Sequence, residues 1–212
     1  MTLRASALAH MAPILVLGTN NKHKVEEIAP LLAGTGVTVR TAGEYGPFDP
    51  EETGTTLEEN AVLKARAALE LSRECSIADD TGLEVDALGG RPGIYAARYA
   101  GEGCSLVDNI NKLLEELSGV PLSKRNARFV CVIALCRPGR EPMTFRAVCA
   151  GRILETRRGT HGFGYDPVFF VDEVGRSFAE MTMDEKHCVS HRARAVKLLR
   201  AELVHGLLFS NP

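Results

Sequence analysis

The chain has 212 residues, of which 45% are hydrophobic and 25% charged, the balance of an ordinary globular protein of one large domain. Its formal net charge of −2 provides no broad basic field for the phosphates of a duplex, so we expect no nucleic-acid partner. A run of about 18 apolar residues, as a membrane-spanning helix requires, does not occur in the sequence, and we expect no membrane association.

The cysteines and the amino terminus indicate the compartment. The six cysteines form no CxxC pair and no dense secreted-type pattern, and two of them fall on apolar runs. We therefore predict reduced core thiols in a cytoplasmic protein. Residues 1–12 have no continuous apolar core, which predicts a disordered extension or an early start codon rather than a signal peptide. A single bilobed domain is predicted over residues 13–210.

The first third of the chain alternates strand and helix patterns. Residues 14–17 are fully apolar and predict a buried parallel strand, and residues 37–41 predict the next. Between them, the helical spacing of Val25, Ile28, Leu31 and Leu32 predicts a helix. Residues 43–54 are turn-rich and acidic, typical of a loop. A capping box over residues 56–59 then predicts a helix that reaches about Arg73.

The rest of the chain predicts a hairpin between helices. Ser105 opens an amphipathic helix, which Gly119 and Pro121 end. Residues 128–136 and 143–150 read as antiparallel strands, residues 169–171 as a further strand, and a last helix begins near Ser190. The predicted fold class is α/β: an elongated mixed β-sheet flanked by helices, with two lobes and a central cleft.

Residues 76–101 carry the strongest functional signal. A short apolar strand runs into Asp79 and Asp80, and glycine-rich turns follow. In α/β sheets, ligands bind beyond the strand ends, so these carboxylates are expected at the mouth of a crevice. Adjacent buried carboxylates need a cationic partner, and a hard metal ion is the usual one. The pattern favours a metal-assisted site.

The segment Thr19-Asn20-Asn21-Lys22-His23-Lys24 lies between a predicted strand and a helix. Unpaired N–H groups at a helix start suit a phosphate, and the lysines add charge. Alternatively, an asparagine only caps the helix and the lysines are solvated.

Glu51-Glu52-Thr53-Gly54 is an acidic turn before a helix, and by itself such a turn is usually a solvated loop. It becomes relevant because a divalent ion on Asp80 would need a second carboxylate from another loop.

Residues 159–167 place Phe163 and Tyr165 between glycines. Glycines let the backbone approach a flat ligand, and an aromatic face can stack on a base. The alternative is a tight turn whose aromatic residues are core anchors. Asp166, held extended by the following proline, could reach a base edge or finish the turn.

Cations gather before the last helix: Lys186, His191 and Arg192. Cations at a helix start oppose the helix dipole, which indicates an anion at this position.

At these residues the chain resembles the inosine/xanthosine triphosphate pyrophosphatases, also called non-canonical purine NTP pyrophosphatases or HAM1-like proteins. The motifs occur in family order and cover essentially residues 13–204. They are T-x-N-x-x-K at residues 19–24, E-E-T-G at 51–54, A-D-D-[ST]-G-L at 78–83, G-G-x-P-G-I-Y-[AS]-A-R-Y at 89–99, G-F-G-Y-D-P at 162–167 and S-H-R at 190–192. The chain departs from the pattern at His161, where relatives often have glycine, and in lacking a common proline before Asp79.

The resemblance implies Mg²⁺-dependent hydrolysis of ITP, dITP and XTP to the monophosphate and pyrophosphate, which removes deaminated purines from the nucleotide pool. It also implies a homodimer. Asp80 is implied as proton acceptor and metal ligand, and Glu52 as a second metal ligand. The implied nucleotide-binding residues are Thr19, Asn20, Asn21, Lys22, His23, Lys24, Thr81, Phe163, Gly164, Tyr165, Asp166, Lys186, His191 and Arg192.

Within this assignment, Lys24 and Lys186 are expected to stabilise charge on the departing pyrophosphate. Donors such as His191 and Arg192 would favour a 6-oxo purine over adenine, whose amino group would leave them unpaired. Two rival functions stay open: a Maf-like pyrophosphatase of different base choice, and a nucleotide sensor without turnover. The choice between Glu51 and Glu52, and between Asp79 and Asp80, as the closer metal ligand also stays open.

Overall fold

A computed structural model describes residues 12–204. In this range, eight strands form one mixed sheet in the order β2-β1-β3-β5-β6-β7-β8, with β4 paired to β3, and five α-helices pack on it. The strands are β1 Ile14–Leu17, β2 Thr38–Thr41, β3 Cys75–Val85, β4 Pro92–Gly93, β5 Asn126–Cys136, β6 Met143–Ile153, β7 Phe169–Val171 and β8 Arg176–Ser177. The helices are α1 Lys22–Ile28, α2 Leu57–Ser72, α3 Leu106–Glu116, α4 Met183–Val189 and α5 His191–Val204. The predicted α/β class with a mixed sheet is confirmed.

The predicted terminal extension over residues 1–12 lies, except for residue 12, outside the described residues, as do residues 205–210 of the predicted domain. Among the helices described, none combines the length and the apolar character that crossing a membrane requires.

The strand pairing changes from parallel to antiparallel across the sheet. Strand β1 lies between β2 and β3 and runs parallel to both, whereas β3, β5 and β6 pair in antiparallel fashion. One apolar cluster joins β1 to α1 and α5, and another joins α3 to β7 and the far ends of β3 and β5. These two clusters are the cores of the two lobes.

Strand β3 corrects the prediction that Asp79 and Asp80 follow a strand end. Both residues lie inside β3, because antiparallel pairing with β5 continues from Ser76 to Val85. The parallel partner β1 stops earlier, where Leu17 pairs with Ile77. The two carboxylates therefore lie where one neighbouring strand ends, at the edge of a crevice, although their own strand continues.

Two local predictions were wrong in detail, and one helix was missed. Leu31 and Leu32 lie in a short 3-10 helix after α1, because Pro30 begins a new turn. Thr56 caps α2 by accepting from the Glu59 N–H, but the Glu59 carboxylate accepts from Thr55, so the reciprocal half of the box is displaced by one residue. Helix α4 was not predicted, because its seven residues carry no apolar period.

Candidate functional site

A cleft of about 780 Å³ opens between the two lobes. Its walls are the β1–α1 loop, the acidic loop before α2, the middle of β3, the turn before β7, and helices α4 and α5. Of the predicted residues it is lined by Thr19, Asn20, Asn21, His23, Lys24, Glu52, Asp80, Thr81, Phe163, Gly164, Tyr165, Asp166, Lys186, His191 and Arg192. Lys22 instead lines a smaller neighbouring cavity.

The β1–α1 loop is held by its own side chains. Asn21 is the N-cap of α1 and accepts from the N–H groups of His23 and Lys24. Asn20 donates to the Phe48 carbonyl and so ties this loop to the acidic loop. Thr19 accepts from the Asn21 N–H at 3.1 Å. The capping alternative therefore holds for Asn21, and the loop places Lys24 at the cleft.

Asp80 faces the cleft together with a cation that the sequence did not reveal. Lys64 of α2 lies with Nζ 2.6 Å from Asp80 Oδ1 and 2.8 Å from Glu52 Oε1. Burial raises the pKa of Asp80, and the attraction of Lys64 opposes this without reversing it. Burial also acts to raise the pKa of Glu52, but Lys64, together with Lys24 and Arg98, outweighs burial and the pKa is lowered. Asp80 is the more basic of the two carboxylates.

Asp79 points to the opposite face of the sheet, as alternation along a strand requires. It is buried behind the cleft, 3.0 Å from Lys24 Nζ and 3.1 Å from Arg192 Nη2. Burial acts to raise its pKa, but Lys24 and Arg192 hold the pKa well below the usual range for aspartate. Asp79 thus anchors cations, and Asp80 is the carboxylate presented to a ligand.

Glu27 of α1 joins this helix to α4 and α5 through buried ion pairs, and it was not predicted either. It accepts from Lys186 Nζ at 2.7 Å and from the Arg192 guanidinium. Lys186 also lies 2.5 Å from Asp166 Oδ2. The sequence pattern predicted Lys186, His191 and Arg192 together at one helix start. Lys186 instead belongs to α4, and only His191 and Arg192 begin α5. Lys186 is engaged by two carboxylates at the Phe163 end of the cleft, which disfavours its predicted role at the pyrophosphate.

Each of the two alternatives for the aromatic turn holds for one residue: Tyr165 is a core anchor, and Phe163 faces the cleft. Tyr165 is buried in the core and its hydroxyl donates to the Ala96 carbonyl. Phe163 lines the cleft, with Lys186 Nζ 5.3 Å from its ring centroid. Asp166 accepts from the Phe163 N–H, so it finishes the turn. Phe163 is therefore the aromatic face that a flat ligand can use.

His191 is a neutral imidazole at the same end of the cleft. Its ring stacks on Phe129 with centroids 4.5 Å apart. Burial lowers the pKa of His191 well below 6.5, and the adjacent Arg192 and Lys186 lower it further. Its Nδ1 is buried and has no hydrogen-bond partner among residues 12–204. The guanidinium of Arg192, in contrast, donates hydrogen bonds to Glu27, Asp79 and Thr81.

The donor set suits a divalent ion that is shared with a phosphorylated ligand. Glu52 Oε1 and Asp80 Oδ1 converge on a single cationic position, now taken by the Lys64 ammonium. Over residues 12–204, no group of three or more His, Cys, Asp or Glu side chains is arranged to hold a metal. Mg²⁺ typically takes one or two carboxylates and fills its remaining positions with phosphate and water oxygens. Glu52 and Asp80 fit that pattern.

Helical spacing could have revealed both missed residues. Lys64 follows Ala61 by three residues and precedes Ala68 by four, on the buried stripe of α2. Glu27 follows Lys24 by three residues, and Lys24 faces the cleft. A charged residue within a buried stripe needs a buried partner, which is the available signal.

The fold and the cleft define a class: a mixed α/β protein whose site combines paired carboxylates, buried cations and one accessible aromatic face. The chain belongs to the Ham1 family, whose sequence profile matches residues 15–202. It is 50% identical over 187 residues to a dITP/XTP pyrophosphatase of Geobacillus kaustophilus, an alignment that covers 87% of this chain and 91% of the relative.

Two solved structures have the same fold. The Staphylococcus aureus Ham1 protein superposes with a TM-score of 0.81 at 41% identity, over 91% of this chain and 99% of its own. A HAM1 protein from Coxiella burnetii gives a TM-score of 0.83 at 37% identity, with the same coverage of both chains.

Proposed function

We propose that this protein hydrolyses non-canonical purine nucleoside triphosphates (ITP, dITP and XTP) to the monophosphate and pyrophosphate, and so removes deaminated purines from the nucleotide pool. The observation that carries the proposal is the position of Asp80. It is a buried carboxylate of raised pKa that faces the cleft beside Lys64 and Glu52. Relatives named dITP/XTP pyrophosphatase support the choice of substrates.

The charges of the cleft support Mg²⁺ as the cofactor. The lysines that line the cleft already have carboxylate partners: Lys24 has Asp79, Lys64 has Asp80, and Lys186 has Glu27. A triphosphate would therefore bring uncompensated negative charge into the cleft. We assign Glu52 and Asp80 as the residues that would hold Mg²⁺, which when bound neutralises phosphate charge and makes nearby water more acidic.

The chain's own residues account for proton transfer. The pKa of Asp80 is higher than that of an ordinary aspartate, so its carboxylate is the better proton acceptor for a water that attacks the α-phosphorus. Lys64 keeps that carboxylate ionised and oriented until the proton arrives. Lys24, on the capped first turn of α1, is the cation that we assign to the phosphates.

Base recognition falls to the part of the cleft that Phe163 and His191 line. Phe163 offers a stacking face, and His191 Nδ1 is the buried polar atom left without a partner among the described residues. As the Nδ1–H tautomer, neutral His191 would donate to a 6-oxo group. Adenine presents a 6-amino group there and would leave the donor unsatisfied, which costs about 1–3 kcal/mol. This preference favours 6-oxo purines, hypoxanthine and xanthine among them, over adenine.

The proposal includes a homodimer in the cytoplasm. Tyr95, Leu106 and Val107 expose 55%, 47% and 57% of their surfaces, and they lie on adjoining elements, the turn before α3 and its first residues. A second copy would bury them. Light scattering that shows a stable active monomer would refute the dimer. All six cysteines are free, which supports a reducing compartment.

The deciding experiment measures pyrophosphate release from ITP, XTP, dITP, ATP and GTP, each with Mg²⁺ and with EDTA. We expect release from the first three, far less from ATP and GTP, and none with EDTA. Equal turnover of ATP and GTP would retain the chemistry but overturn the proposed cellular role and point to a different base choice, as in Maf-like proteins. No release from any of them would favour a nucleotide sensor.

A further inference from the structure

His23 and Phe163 form a ring stack that bridges the two walls of the cleft. Their centroids lie 5.0 Å apart and their planes differ by 14°. His23 belongs to the first turn of α1, and Phe163 belongs to the turn before β7. Both rings line the cleft.

The two rings differ in how they are held. Asn21 fixes the backbone of His23 by accepting from its N–H at 3.0 Å. The imidazole itself is 55% exposed, and its other described partner is Glu26, 3.4 Å from Nδ1. It is therefore tethered at the cleft edge but loosely packed.

Phe163 lies between two glycines that adopt left-handed backbone conformations, Gly162 at φ 73° and Gly164 at φ 59°. Its N–H is pinned by Asp166 at 2.9 Å, so the turn is anchored below the ring. The turn is thus fixed, and the half-exposed imidazole of His23 is the ring with room to move when the stack opens.

From this geometry we propose that His23 is the second aromatic face of the base site, so that the purine inserts between His23 and Phe163. The inference rests on the proposed function for the identity of the ligand. Two stacked gaps of optimal carbon–carbon distance require centroids roughly 7 Å apart, so the observed stack would open by roughly 2 Å. The near-parallel planes suit a flat guest, and His191 Nδ1 remains at the same end of the cleft for the edge of the base.

A stacking role for His23 can be distinguished by experiment from the role of the lysines in the same loop. A cation on this loop would contribute to the binding of any polyphosphate, whereas a stacking ring contributes only when the ligand has a base. Inorganic tripolyphosphate and inosine monophosphate are therefore the two probes. Neither requires turnover, so the result is independent of whether pyrophosphate is released from ITP.

The experiment measures the Kd of both probes by calorimetry for the wild type, His23→Ala and His23→Phe. We expect His23→Ala to weaken the binding of inosine monophosphate by ~5- to 10-fold. This is the low end of the range for stacking, because the ring is half-exposed. His23→Phe should restore affinity to within about twofold, and tripolyphosphate should be unaffected by either change. His161→Ala, an exposed histidine on the same turn as Phe163, is the matched control and should leave both affinities unchanged.

A Phe163→Leu background provides the second test, since it removes the opposite face. His23→Ala should then have a much smaller effect on inosine monophosphate. Unchanged binding by His23→Ala, tighter binding, equal weakening of both probes, or no binding of inosine monophosphate to the wild type would each overturn the proposal. Failure of the proposed function would appear instead as absent pyrophosphate release.

Discussion

Lys64 and Asp80 form the ion pair at the centre of the cleft, with Nζ and Oδ1 2.6 Å apart. Because Glu52 shares the same ammonium, Lys64 occupies the point at which the carboxylates of two separate segments meet. A residue from the middle of a helix thus sets the charge state of the proposed proton acceptor.

Asp80→Asn should lower pyrophosphate release by a factor of about 10²–10⁴, because the amide cannot accept the proton. The substitution keeps the shape of the side chain, so we expect thermal unfolding to remain cooperative with the fold intact. Asp86→Asn, an exposed aspartate just after β3, is the matched control and should retain full activity. Normal turnover by Asp80→Asn would remove Asp80 from the mechanism.

Lys64→Met should reduce the free energy of unfolding by about 3 kcal/mol, because it leaves buried carboxylate charge without its partner. It should also shift the acid limb of the pH–kcat/KM profile to higher pH, since Lys64 acts to lower the pKa of Asp80. Urea denaturation and a pH series measure the two effects. Lys197→Met, at an exposed position of α5, should change neither. An unshifted acid limb would contradict the coupling.

His191 should make the protein less stable in mild acid. Its pKa in the folded state lies well below 6.5, so below pH 6.5 the unfolded chain binds a proton that the native state excludes. Between pH 6.5 and 5.5 this difference lowers the free energy of unfolding by about 1 kcal/mol. Urea denaturation at both pH values should show that this part of the decrease is lost in His191→Phe, which keeps the stack on Phe129. His161→Ala should retain it, and an equal pH dependence of wild type and His191→Phe would contradict the assignment.

Gly162→Ala should be more damaging than Gly164→Ala, although both glycines have positive φ. A Cβ on Gly162 would lie 2.0 Å from Asp166 Oδ2, which Lys186 and the Phe163 N–H hold in place. At Gly164 the same atom would meet only open space. We expect losses of unfolding free energy of about 3 and about 1 kcal/mol, respectively. Equal losses in denaturation experiments would mean that Asp166 moves freely.

Local patterns predicted much of the fold because they depend on neighbours in sequence. The continuous apolar run of β1, the alternation in the β5–β6 hairpin and the helical period of α3 are each visible within their own segment. The extent of β3 could not be predicted in this way. Asp80 and Gly82 are weak strand formers, and they remain in the strand because Val132 and Val130 of β5 pair with them.

The residues of the candidate site also fall into those visible in the local sequence and those that depend on distant partners. Motif residues such as Asp80 and Phe163 were found because their spacing is distinctive, and the cleft brings them together. Glu27 and Lys64 depend on partners that are distant in the chain, Arg192 and Asp80 among them. A side chain's buried partner cannot be predicted from its own helix, so only the conflict between a charge and a buried stripe was visible.

The opposite orientation of Asp79 and Asp80 constrains the length of the chain as well as its composition. Deleting one residue from β3 ahead of this pair, while the β3–β1 register is kept, would exchange the faces on which the two carboxylates lie. The acid that anchors Lys24 and Arg192 would then face the cleft, and the proposed proton acceptor would turn toward α5. This segment should therefore tolerate apolar substitution much better than a change of a single residue in length.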